Sequence, residues 1–176
     1  MSTPMSTPAG VPDEPMLRRA FDTQAEFGAQ LQTALLRAQS EVWMADADFA
    51  QWPIGHPEFA SALQGFLRQS AANHLRMLTL DAAHIARSAP RLMTVLRTHA
   101  HNAECRIVPS HAAPRFGEAC AMLIVDRSFL VRRFHHDHPR GATELDPAAA
   151  LPWLDQFEML WEESSPALSS TTLGLG

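Results

Sequence analysis

The 176-residue chain contains no lysine and no tyrosine. Any chemistry that requires an ε-ammonium is therefore excluded, the Walker-type nucleotide loop among it. No glycine-rich phosphate loop occurs, and no Gly-x-Ser-x-Gly elbow. Two cysteines, Cys105 and Cys120, are too few and too far apart for a disulfide framework or a paired-thiolate zinc site; each sits in an apolar run and reads as a reduced, buried thiol. The longest uninterrupted apolar run is the seven residues 119–125, far short of the roughly 20 that cross a bilayer. Residues 1–15 lack a basic n-region followed by an apolar h-region, so the expected location is cytoplasmic, without membrane contact. The net charge of −5 repels a phosphate backbone at long range, which weighs against general nucleic-acid binding.

What is present is one domain's worth of apolar sequence. The hydrophobic share is 46% and the charged share 19%, ordinary for a globular domain of a length that buries about 70% of its unfolded surface. Four prolines fall within the first fifteen positions, beside the duplicated Met-Ser-Thr-Pro, so 1–16 reads as a disordered arm; the Ser-, Thr- and Gly-rich 164–176 reads as a disordered tail. The folded unit is expected over 17–163. Thr23 and Glu26 have capping-box spacing before the helical pattern Phe27, Leu31, Ala34, Leu35 and Ala38. Strands are expected over 41–47, 75–80 and 105–108, with helices between them: one opened by Pro57, and a pair divided by Pro90 with Asp81 as the candidate N-cap. Strands separated by helices imply crossovers and a parallel sheet covered on both faces. Residues 120–125 and 129–134 are separated by only three residues, too few for a crossover, so a hairpin makes the sheet mixed. A polar loop follows. Asp146 and Pro147 then start a closing helix with the stripe Leu154, Phe157, Leu160 and Trp161, in which Pro152 predicts a kink or a short initial turn.

This order of elements resembles a phospholipase D-like domain over nearly the whole folded unit. With Phe157 and Trp161 it is similar to a small uncharacterised bacterial family of such proteins ending in a Phe-x-x-x-Trp helix. The resemblance implies an α/β fold: a mixed sheet of parallel strands with crossover helices plus a hairpin, flanked by helices. It also implies a comparison with His-x-Lys-x-x-x-x-Asp, in which histidine is the nucleophile and lysine holds the phosphate. With Asp126 as the acid, Ala119 falls where the histidine would be and Ala121 where the lysine would be. Half-sites of the resembled family often meet across a dimer, yet a homodimer here repeats the same alanines. The expectation is a catalytically degenerate domain acting as a non-enzymatic binding or assembly module, without a cofactor and with a homodimer as a candidate assembly.

Two polar groupings carry the other readings. Arg132, Arg133, His135, His136 and Arg140 cluster on and after the hairpin. Guanidinium and imidazole donors there suit an anion, which supports the alternative of a hydrolase or transferase acting on a phosphate-bearing small molecule; the bland reading is a solvated edge and loop. Single-stranded nucleic acid is a further candidate ligand for the same arginines. His136 with His138, or His135 with Asp137, could begin a metal site, but consecutive loop ligands are awkward and no second pair accompanies them, so no metal is expected. Asp46, Asp48 and Asp81 close strands, with Trp52 near them and Asp126 at the hairpin; together they read as the rim of a ligand crevice or as caps and turn acids. Histidines 56, 74, 84, 99, 101 and 111 read as surface or capping residues, and Trp43, Trp153 and Trp161 as core.

Overall fold

A computed structural model describes residues 18–117 and 121–167. Cys120, Ala119 and the expected arm 1–16 lie outside the described residues, as does the tail beyond residue 167. An eight-stranded mixed sheet carries helices on both faces. Its strands are β1 (Arg18–Phe21), β2 (Glu41–Ala45), β3 (His74–Thr79), β4 (Ala103–Ile107), β5 (Met122–Val125), β6 (Phe129–Arg133), β7 (Gly141–Leu145) and β8 (Ser165–Pro166), in the order β1-β7-β6-β5-β2-β3-β4-β8. The β2–β3 and β3–β4 pairs are parallel and every other pair is antiparallel. The helices are α1 (Gln24–Arg37), α2 (Pro57–Gln69), α3 (Ala83–Ser88), α4 (Pro90–Thr98), α5 (Ala113–Gly117) and α6 (Pro147–Glu163).

Strand alternation divides the core in two. Val42, Met44, Leu75, Met77, Leu123, Val125 and Val131 meet Phe27, Leu31, Leu35, Phe59, Leu63 and Leu92 of the α1–α4 layer. Trp43, Ala45, Leu78, Met122, Ile124 and Leu130 meet Phe116, Leu154, Phe157, Leu160 and Trp161 of the α5–α6 layer. Each buried Leu or Phe contributes about 1.5–3 kcal/mol. Cys105 is buried in the first cluster, and desolvation pushes its thiol up to about 12, which leaves it unreactive. In the second cluster Trp161 stacks on Phe157 at 5.8 Å, and the guanidinium carbons of Arg76 (5.3 Å) and Arg106 (4.2 Å) lie over its ring. Those two arginines also bond Glu158 and Glu104.

Local signals explain most element boundaries. The Thr23 hydroxyl accepts from the Glu26 N–H at 3.1 Å, and the Glu26 carboxylate accepts from the N–H groups of Asp22 and Thr23, closing the capping box and holding that carboxyl below its ordinary range. Asp146 caps α6 through the Ala148 N–H. Three expectations need correction. Asp81 is not the N-cap of α3; Ala82 is, and Asp81 accepts the Ala83 N–H at 2.8 Å from one residue further out. α6 is one continuous helix through Pro152, not a short initial turn followed by a second helix, because that proline is exposed and water can satisfy the carbonyl it leaves free. The polar loop expected after the hairpin contains β7, whose short, partly polar sequence is drawn into strand form by pairing with β6 and β1. The sheet also continues past residue 163, since Ser165–Pro166 pairs with β4.

The hairpin tip is tied to the start of β2. Asp126 Oδ1 accepts from Ser40 N–H (2.8 Å), Ser40 Oγ (2.9 Å) and Glu41 N–H (3.0 Å), and Oδ2 accepts from Gln39 N–H (2.9 Å). Asp126 and Arg127 have φ of 50° and 60°, left-handed conformations that non-glycine residues hold only under such constraint. Burial alone would raise the Asp126 pKa, but the N–H and hydroxyl donors outweigh it and hold the carboxyl below its ordinary range. Arg127 grips Glu41 through two bonds at 2.8 and 3.2 Å and lies over Trp43.

Asp126→Ala is expected to cost about 2–4 kcal/mol in denaturant unfolding at pH 7, the loss of several charge-assisted bonds. Because the folded pKa is depressed, the native chain keeps this contribution above about pH 4 and loses it as the pH falls through the folded value, whereas the variant lacks that part of the acid response. A variant as stable as the native chain at pH 7 would refute the clamp. At Gly141 a Cβ would run into the Arg132 carbonyl oxygen and the Phe21 ring; Gly141→Ala should cost about 3 kcal/mol in the same measurement.

Candidate functional site

The carboxyl ends of the parallel strands and the antiparallel hairpin place a row of residues at one edge of the sheet. Ala45 pairs with Leu78 and Met122, Met122 with Arg132, and Arg133 with Gly141, which in turn pairs with Phe21. Asp46 and Ala121, one step beyond β2 and β5, and Arg133, the last residue of β6, follow one another across the sheet, and the Arg133 N–H donates to the Ala121 carbonyl. Alternation puts all three on the α1–α4 face, where Ala121 is part of the core. Thr79 of β3 continues the row; its hydroxyl is within bonding distance of the Ala47 and Asp81 carbonyls.

This terminal rung holds two buried charges of opposite sign with a methyl group between them. Asp46 is 5% exposed, Ala121 5% and Arg133 3%. Asp46 Oδ1 accepts from the N–H groups of Asp48 (3.0 Å) and Phe49 (2.8 Å), and Oδ2 accepts from Trp52 Nε1 (3.0 Å). Those bonds support Phe49 at φ 60°. Trp52 meets Phe27, Phe49 and Phe59 edge-on. Phe27 in turn lies 5.3 Å beneath the Arg133 guanidinium. An aromatic lid thus spans the rung from Asp46 to Arg133. A groove of about 570 Å³ lies outside it between α1 and the segment before α2, lined by Gln24, Gly28, Gln51, Trp52, Pro53 and Phe59.

The residues expected to form an anion cluster are distributed over several surroundings. Arg133 is buried, its Nη2 donating to the carbonyls of His136 (2.7 Å) and His138 (3.5 Å). Arg132 points to the opposite face, its guanidinium carbon 3.8 Å from the Trp153 ring centroid. Arg140 bonds exposed Asp22 at 3.3 Å. His135 and His136 are exposed, and His136 lies 3.3 Å from the Asp137 carboxylate. Of the expected rim, Asp46, Asp48, Trp52 and Asp81 do lie at the carboxyl edge, Asp48 accepting the Ala50 N–H. Asp126 does not: β5 runs antiparallel to β2, so the hairpin tip falls at the opposite edge. Among the described residues no three His, Cys, Asp or Glu side chains gather as metal ligands. Of the histidines expected at the surface or at caps, His99 is the C-cap of α4, its N–H donating to the Val95 carbonyl, and it is not at the surface. It is buried, with Nε2 unpartnered, and burial first, then His101 and Arg68, lower its pKa.

No sequence signal marks the roles of Phe27 and Thr79, which look like ordinary core and strand residues. The pairing register brings Thr79 to the rung, and the packing of α1 on the sheet brings Phe27. Asp46 and Arg133 carried a legible signal, each being an ionisable residue at the end of an apolar strand pattern.

Residues 23–172 match the family described as "Domain of unknown function (DUF7931)". No curated protein matches the sequence. Among solved structures, the fold is similar to Nuc from Salmonella typhimurium, described as a phospholipase D family member, with TM-score 0.61 and 12% identity over 87% of this chain and 99% of that one. NucT from Helicobacter pylori aligns with TM-score 0.55 and 10% identity over 86% of this chain and 99% of that one. TrmBL2, described as an archaeal chromatin protein with a novel mode of DNA binding, aligns with TM-score 0.59 and 14% identity over 84% of this chain and 53% of that one. At such identities the shared property is the phospholipase D-like fold.

Trp52→Phe keeps most of the aromatic packing but removes the Nε1–H that Asp46 accepts. It should cost about 1–3 kcal/mol in denaturant unfolding, the penalty of leaving a buried acceptor short of a donor. A loss no larger than a few tenths would show that Trp52 does not hold the carboxylate.

Proposed function

The chain belongs to the family described as a domain of unknown function (DUF7931), and we propose that it is a phospholipase D-like domain that has lost catalysis and serves as a binding or assembly module. The observation that carries this reading is the terminal rung. Position 121, where the resemblance calls for a lysine, holds a methyl group packed in the core, and its neighbour Asp46 has both carboxylate oxygens engaged by donors of its own loop, the Trp52 indole among them. A covalent route through an imidazole needs a nucleophile poised beside a group that holds the phosphate. A lysine-free chain cannot supply the ammonium that the resembled motif uses for this, in one copy or two. The alternative, an enzyme acting through the arginine cluster, draws less support, since Arg132 and Arg133 lie on opposite faces of the sheet. That one protein of similar fold is described by DNA binding accords with a binding role for this architecture. Assembly as a homodimer belongs to the same proposal.

Purified full-length chain assayed against bis(p-nitrophenyl) phosphate and phosphatidylcholine should give no turnover above buffer. Turnover that co-purifies with the chain and drops at least tenfold in His135→Ala or His138→Ala would overturn the reading. Light scattering that returns only the monomer mass would remove the homodimer.

A further inference from the structure

Arg133 is a buried cation with nothing of opposite charge against it. Its Nε is buried without an acceptor, one Nη bonds two backbone carbonyls, and its plane lies over Phe27. Among the described residues no carboxylate lies within ion-pair distance of it. Asp46, the buried acid of the same rung, stands two strands away, roughly 10 Å at ordinary strand spacing, with both oxygens occupied. A guanidinium cannot escape the cost of burial by releasing its proton, so a buried arginine normally has a counter-ion. Here the chain supplies one half of an ion pair.

We propose that Arg133 is the floor of an oxyanion site, closed over by the segment 134–140, that takes a phosphoryl group. In the resting chain the carbonyls of His136 and His138 cover one Nη. The four residues 135–138 form neither helix nor strand and are exposed, and the rings of His135 and His138 lie 6.4 Å apart. A phosphoryl oxygen entering beneath them gives Nε–H its missing acceptor, and the imidazoles supply donors from the outer side. Donors on two sides suit a tetrahedral oxyanion; a planar carboxylate would be satisfied by the guanidinium edge alone. Asp137, the acid of this segment, lies against the His136 ring with its side chain 89% exposed.

The inference deepens the preceding reading, because a domain without reactive groups can still recognise a phosphoryl group. The two fail separately: turnover defeats the first and leaves anion recognition standing, while absent binding defeats only the second. The test is thermal unfolding and phosphorus NMR of the full chain titrated with inorganic phosphate, with chloride at matched ionic strength as reference. Parallel arms use dimethyl phosphate and phosphatidylglycerol vesicles. The expected result is a saturable rise in Tm of about 3 °C or more, abolished in Arg133→Gln and unchanged in Arg115→Gln. Arg133→Lys, which keeps the charge but lacks the Nε–H edge, should weaken affinity about tenfold, as should His135→Ala combined with His138→Ala. These two variants carry the test if Arg133→Gln does not fold. A response to the soluble probes identifies a free phosphoryl ligand, and a response to vesicles alone identifies a lipid headgroup; either supports the site. No saturable response in any arm, or one that the Arg133 and histidine variants leave intact, overturns it.

Discussion

The carboxylate of Asp126 joins parts of the chain some 85 residues apart, and the rest of the sheet is aligned through it. Its two oxygens take the N–H groups that end α1 and begin β2, fixing where the first central strand enters the sheet. The same residue forms the left-handed tip between β5 and β6. Because side chains alternate with a period of two, a slip of one residue at this junction would reverse both faces of the hairpin. Ala121 and Arg133 would then leave the α1–α4 face, and the rung at the far edge would not exist. A turn acid at one edge thus determines which groups meet at the other.

The rung itself is held by local electrostatics. Asp46 is stabilised by three donors from the seven residues that begin with it, a nest the backbone makes by turning sharply through Phe49. Arg133 is held by the flat face of Phe27 and by loop carbonyls, contacts that stabilise a cation without neutralising it. The acid is therefore complete within its own loop, whereas the base retains unused bonding capacity. That asymmetry separates a carboxylate satisfied by its own loop from a guanidinium that is not.

Much of this was legible in the amino-acid order, and the remainder was not for identifiable reasons. The parallel strands β2, β3 and β4, the hairpin and α6 announced themselves through apolar period and capping residues, since each buries enough surface to leave a pattern. β1, β7 and β8 left almost none. Arg-Arg-Ala-Phe buries only Phe21, and the residues that Gly-Ala-Thr-Glu-Leu buries are small or polar, so both are strands because a neighbour offers them a ladder. The same division runs through the site. That Arg132 and Arg133 face opposite ways follows from alternation alone, and Asp46 with Trp52 was within reach of spacing. That Asp126 stands at the far edge follows only from knowing which strands run antiparallel. Phe27 as the support of Arg133 is a contact between elements more than a hundred residues apart, which no local pattern encodes.

Both borders of the sheet are formed by the outermost strands of the described chain, β1 beside β7 and β8 beside β4. Neither contributes much to the core, yet each covers backbone groups that would otherwise offer a template to another molecule. A fragment trimmed to the boundaries that hydrophobic pattern alone suggests would keep nearly all of its buried apolar surface and still be poorly behaved in solution. Trimmed to 17–163 it would keep β1 but lose Ser165–Pro166, and its failure would be one of colloidal hygiene, with neighbouring copies zipping along the bared margin of β4 while each interior stayed intact.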